Sequence, residues 1–162
     1  MTKIIVSFLA VLLMFFPDSV TLKGIYQDLT YPGEKVITER VIEAVKNDDV
    51  EAIEEMMSQY VKSNNENLSE DIEKLMNTIE GDINDAYWYA GSSDSVKKDY
   101  DSYESYRTWS IKFETENSVY KLNVTWVRAN TNKPEKVGMS SMSLFDMERN
   151  LLATVYAGVN DT

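Results

Sequence analysis

No cysteine and no histidine occur among the 162 residues. Without thiols, disulfide frameworks, thiolate zinc sites, iron–sulfur clusters and cysteine nucleophiles are excluded. Without imidazole, the commonest general base and the commonest transition-metal ligand are gone as well. Glycine is sparse at six residues, spread singly, so no glycine-rich phosphate loop is present. Positive charge is also short, with 16 Lys+Arg against 27 Asp+Glu and a formal charge of −11. Phosphate backbones and anionic lipid surfaces need clustered cations, so no nucleic-acid partner is expected, and membrane contact is expected only through the N-terminal segment. Nor is any apolar run near the ~20 residues that cross a bilayer as a helix.

What remains is ordinary globular usage, 43% hydrophobic and 27% charged. A chain of this length can bury one core without disulfides or a structural metal. The first residues stand apart. Met1–Lys3 is a short cationic start, and Ile4–Phe16 is an apolar run broken only by Ser7. As a helix that run spans about 20 Å, short of the roughly 30 Å hydrocarbon core. Pro17 and Asp18 end it. A basic tip, a short apolar stretch and a polar tail make a secretory signal. Residues 1–24 are therefore expected to be a signal peptide or a weak N-terminal anchor, and 25–162 a single exported domain. No A-x-A cleavage motif and no lipid-bearing cysteine follows the run.

Three amphipathic helices are expected next. In Glu34–Lys46, Ile37, Val41, Ala44 and Val45 make one apolar stripe. Asp48 and Glu51 read as a capping-box-like start for a second helix carrying Ile53, Met56, Met57 and Tyr60. A polar loop, Lys62–Glu66, leads to a third near Ser69–Glu80, with Gly81 as its C-terminal cap. From Asp82 onward the apolar period falls to two. Tyr120, Leu122, Val124 and Trp126 alternate with Lys121, Asn123 and Thr125, the pattern of an antiparallel strand buried on one face. Further strands are expected around Ala86–Ala90, Trp109–Phe113, Lys136–Phe145 and Leu151–Ala157. Helices first and hairpin-linked strands after them predict an α+β fold, with helices on one face of the sheet.

Charge divides along the same line. Residues 34–85 hold 15 acidic and 5 basic side chains, whereas residues 86–150 hold 9 of each. The acidity belongs to the helical layer, where it keeps an exported protein soluble or offers a docking surface to a basic partner.

Catalytic chemistry finds little support. There is no G-x-S-x-G elbow and no S-x-x-K motif. Asp85, beside Tyr87-Trp88-Tyr89, is the one carboxylate whose neighbours suit a raised pKa. Asp99-Tyr100-Asp101 opens like a calcium loop but lacks the later oxygen ligands, so residues 92–106 read as a polar connection between strands. Neither a cofactor nor a metal is expected. The aromatics are the better lead. Trp109 and Trp126 belong in the core, while Tyr87, Tyr89, Tyr100, Tyr103 and Tyr106 are the candidates for a binding surface, with Glu51, Glu54 and Glu55 for the acidic docking face.

Three stretches carry a resemblance: GEKVITERVIEAVKNDDVEAIEEMM, DIEKLMNTIEGDI and VYKLNVTWVRANTNKPEKVGMSSMSL. Over roughly Gly33 to Phe145 the chain resembles a family of uncharacterised extracytoplasmic proteins, mostly lipoproteins of Gram-positive bacteria, catalogued as a domain of unknown function. The resemblance implies a cystatin-like or nuclear-transport-factor-2-like cone, in which helices rest in the hollow of a curved antiparallel sheet. It brings no active site with it, and this chain lacks the family's lipid-bearing cysteine. The expected function is an exported, non-catalytic binding module of the immunity-protein or inhibitor kind. A carrier holding a small apolar ligand in the cone is the alternative, and a carboxylate-based hydrolase or isomerase ranks behind both.

Overall fold

The computed structural model describes residues 2–16, 19–99 and 101–157, with the backbone alone for residues 2 and 90–92. Helices come first: α1 (Thr2–Phe15), α2 (Val20–Thr30), α3 (Glu34–Lys46), α4 (Val50–Met56), α5 (Gln59–Asn64) and α6 (Leu68–Asn77). Among the described residues, five strands follow: β1 (Ile83–Lys98), β2 (Tyr103–Thr115), β3 (Val119–Asn130), β4 (Gly138–Asp146) and β5 (Leu151–Tyr156). They form one antiparallel sheet in the order β1-β2-β3-β4-β5. This is the expected α+β architecture, and the cone fits its element order.

The period-two pattern explains the core. Trp109, Val124, Met142 and Val155 face one another across four strands, and Ile111, Leu122, Leu144 and Ala153 make the next row. Ile37, Val41, Ile53, Ile72 and Leu75 descend on these rows from the helices. Trp109 is fully buried and Trp126 nearly so. The indole N–H of Trp109 donates to Thr38 Oγ1 on α3 at 2.8 Å, so its one polar atom is satisfied inside the core. The helix-facing side of the sheet is thus packed with side chains along these rows.

Four expectations about elements need correction. The expected second helix is two, because Met57 is extended (φ −64°, ψ 143°) and bridges Met139 on β4. Ser58 N–H donates to the Met139 carbonyl at 2.9 Å, and its hydroxyl then caps α5 by accepting from Val61 N–H. Residues 62–64, read as loop, belong to α5. The third helix ends at Asn77, and Gly81, in left-handed conformation (φ 87°), turns the chain into β1 instead of capping it. Most of the supposed polar connection at 92–106 is strand. β1 absorbs a bulge between Tyr89 and Ser93 and runs on to Lys98, and Asp99 N–H donates to the Ser102 carbonyl at 3.0 Å just before β2.

The sequence also gave no sign of α2. Ser19 caps it by accepting from Leu22 N–H at 3.3 Å, and the helix spans the boundary expected near residue 24. Gly24 is buried against Tyr103 of β2: a Cβ there would lie 2.6 Å from Tyr103 Cβ and closer still to the ring root. α1 contacts α2 yet leaves Ile4, Phe8, Met14 and Phe15 widely exposed. No helix among the described residues is long and apolar enough to cross a membrane.

Candidate functional site

Strand β1 is one edge of the sheet, and its helix-facing side chains have no strand beyond them. Ala86 and Trp88 stand opposite Phe113 and Ile111 in register and so point to the helical layer. α3 covers this edge only in part. Between α3 and β1 lies a groove of about 610 Å³ lined by Glu34, Lys35, Thr38, Glu39, Ile42, Ala86, Tyr87 and Trp88. Trp88 is 47% exposed in it, although its neighbour in register, Ile111, is fully buried. An indole held at the mouth of an apolar groove is a large, stiff contact surface that the fold has not used.

Several polar atoms of the groove have partners within the protein. Thr38 Oγ1 accepts from Trp109, Glu39 lies 3.9 Å from Lys35, and Glu34 is ion-paired with Arg107 on β2. Glu34 also ends a chain of charges across the adjoining end of the sheet. Arg107 reaches Asp94 on β1 (3.4 Å), Asp94 reaches Arg128 on β3 (3.1 Å), and Arg128 Nε lies 2.9 Å from Asp28 on α2. That last N–H is not aimed at the carboxylate, so the contact is an ion pair and not an aligned hydrogen bond. Asp28 instead accepts from Tyr103 OH and Ser105 Oγ, each at 3.0 Å. The bulge in β3 opposite Ser105 and Tyr106 frees Arg128 from the strand ladder to make this contact. Burial first, then the hydrogen bond to the Asp28 carboxylate, raises the Tyr103 pKa above the ordinary tyrosine range. Burial likewise raises that of Tyr31, whose ring lies 5.8 Å from the Arg128 guanidinium.

The expected site residues scatter. Tyr87 and Tyr89 are exposed on β1, as expected of a surface. Tyr87 OH donates to Glu114 at 3.1 Å while Lys112 lies over its ring. Tyr103 is a correction: it is buried beneath α2, a cover the sequence did not reveal. Tyr106 is half-buried in a separate hollow with Tyr60 and Lys136, and Tyr100 lies outside the described residues. Glu51 and Glu55 are exposed on α4, and Glu54 accepts from Ser69 Oγ at 2.6 Å. α4 packs on α3 and α6, so these carboxylates are not drawn into one site with the tyrosines. Asp85 is a correction as well: it is exposed and accepts from the adjacent Ala86 N–H at 2.9 Å, and it does not sit in an apolar setting.

A family described as a domain of unknown function, DUF5104, matches residues 40–147, two thirds of the chain. The chain belongs to the DUF5104 family. The DUF5104 match covers α3 from Arg40, helices α4 to α6, and the strands as far as the end of β4. Ile42, Ala86, Tyr87 and Trp88 lie inside it, whereas Glu34 and the whole of α2 precede it. No curated protein matches this DUF5104 member. The α3 wall of the groove, the Asp28 chain of ion pairs and the exposed indole together are what sequence reading missed. Only Trp88 carried a signal there, in the alternation of Ala86, Trp88 and Ala90.

Proposed function

We propose that this protein is a non-catalytic binding module that works outside the cytoplasm and engages a protein partner through the groove between α3 and β1. The observation that carries the reading is Trp88, exposed in a groove beside Tyr87, Ile42 and Ala86. A partner seating an apolar side chain there would bury the indole, the kind of contact that dominates interface energetics. The 15-to-5 acidic excess of residues 34–85 suits a basic partner and would speed its encounter. An immunity protein or inhibitor is one form of such a module. Export rests on the cationic start, the short apolar run and α1, about 21 Å long.

A carrier of a small apolar ligand is the second reading. It is favoured by the groove volume of about 610 Å³, which falls in the range of ligand pockets. Trp109 and Trp126 are buried, so acrylamide quenching of tryptophan fluorescence reports mainly on Trp88. With partner present, quenching should fall, and Trp88→Ala should keep the fold and lose binding. Changing Glu51, Glu54 and Glu55 to lysine should slow association and flatten its salt dependence. Unaltered binding by Trp88→Ala, or turnover of a substrate by the purified protein, would sink the proposal. For export, the full chain and a form lacking residues 4–16 are fractionated. Finding both in the cytoplasm contradicts it.

A further inference from the structure

The face of the sheet turned away from the helices carries a second cleft. Tyr89, Lys112, Lys121, Asn123 and Phe145 occupy the outward positions of four neighbouring strand segments, and the β4–β5 turn adds Asp146, Met147 and Arg149. Together they bound about 510 Å³. In a chain of charge −11, three cations gathered on one cleft are a local reversal of sign.

The carboxylates at this cleft are each engaged by the protein's own donors. Asp146 takes the Asn150 backbone N–H on one carboxylate oxygen (2.8 Å) and the Asn150 side-chain amide on the other (2.7 Å). Those bonds hold its pKa below the usual carboxylate range. Glu114 Oε1 receives both Lys112 Nζ (2.7 Å) and Tyr87 OH (3.1 Å). Among the described residues, Lys121 and Arg149 form no ion pair. Two unpaired cations, Lys121 and Arg149, thus stand against the single carboxylate of Asp146, and this net positive charge favours an anion.

Arg149 supplies an independent observation. It holds a left-handed backbone (φ 72°) in the β4–β5 turn, where glycine or asparagine would sit without strain. A long cation at this position serves no bond within the turn, whose closure is made by backbone groups and by Asn150. It does line the same cleft as Lys121. Strain kept at a residue that lines a cavity points to use of its side chain.

We infer that this outer cleft is a binding site for a small ring-bearing anion, an aryl or sugar compound carrying phosphate or carboxylate. Lys121 and Arg149 hold the charged group, and Tyr89 and Phe145 flank the ring. The site is separate from the α3–β1 groove and stands or falls without it. The test uses phenyl phosphate, benzoate, inorganic phosphate and phenol as probes, followed by amide shifts of Lys121, Asn123 and Phe145 in heteronuclear NMR at two salt concentrations. Phenyl phosphate and benzoate should bind at about 1 mM or tighter, weaken with salt, and exceed both phosphate and phenol. Arg149→Gly should raise or preserve the thermal midpoint while weakening binding about tenfold or more. Lys121→Gln, an outward position with no partner to lose, should weaken it similarly. Binding that is absent, equal for phenol, or unchanged in both variants overturns the inference. Inorganic phosphate binding as tightly as phenyl phosphate overturns the role of the ring.

Discussion

Gly24→Ala sets two effects of opposite sign against each other. In the interior of an exposed helix, alanine in place of glycine would stabilise by about 1 kcal/mol. Here the added Cβ falls 2.6 Å from Tyr103 Cβ, where carbon–carbon contact wants about 3.5–4.0 Å. Tyr103 cannot swing clear, because the clash is at the root of its ring and its hydroxyl is tied to Asp28. α2 must therefore retreat by about 1 Å. That stretches the 3.0 Å bonds from Tyr103 and Ser105 to Asp28 and the 2.9 Å ion pair with Arg128. Overpacking of this kind costs about 1–3 kcal/mol, and each weakened bond to a charged group adds to it. The net expectation is a loss of about 1–3 kcal/mol after the helix-propensity gain is subtracted. Urea unfolding followed by circular dichroism, with both proteins in the same buffer, measures it as a lower midpoint at unchanged slope. A variant as stable as the parent, or more so, would refute the docking of α2 on β2.

Asp28→Asn keeps the shape but removes the charge that faces Arg128, and should cost about 1–3 kcal/mol in the same assay. Tyr103 should make the protein sensitive to alkali. Its folded pKa is raised above the ordinary 10.0, so the unfolded chain loses the proton first, and stability should be level below about pH 10 and fall above it. Tyr103→Phe should flatten that fall, as read from denaturation midpoints across the alkaline range. Trp126→Ala should destabilise by about 3–5 kcal/mol, since the ring is nearly buried in the core; a loss under about 1 kcal/mol in urea unfolding would contradict its place there.

What the sequence disclosed and what it hid divide by the range of the interactions involved. The alternation of Tyr120 to Trp126 specified β3 and its buried face, because period two is a local property. The break between α4 and α5 was not legible: Met57 continues a helical stripe, and only its bridge to Met139, far along the chain, makes it extended. α2 was hidden because Gly24 is a poor helix residue in isolation, and its reason to be there is the Tyr103 ring. The same contact turned Tyr103 from a surface candidate into a buried residue. Tyr87 and Tyr89 could be read as exposed from their strand. The groove beside them could not, because its other wall depends on how α3 lies against β1.

The strand order has a kinetic meaning. Every strand pairs only with its neighbours in sequence, across connections as short as residues 99–102 and 116–118. Closing such short loops costs little chain entropy, so the sheet can grow one hairpin at a time from either end. The expensive closures are those of the helical layer: α2 on β3, the longest in sequence, and α6 on β5, which joins the middle of the chain to its last strand. Folding should be paced by these docking steps. Core truncations on α6, such as Leu75→Ala, should then slow refolding, whereas changes within the hairpin turns should act mainly on the early, rapid phase.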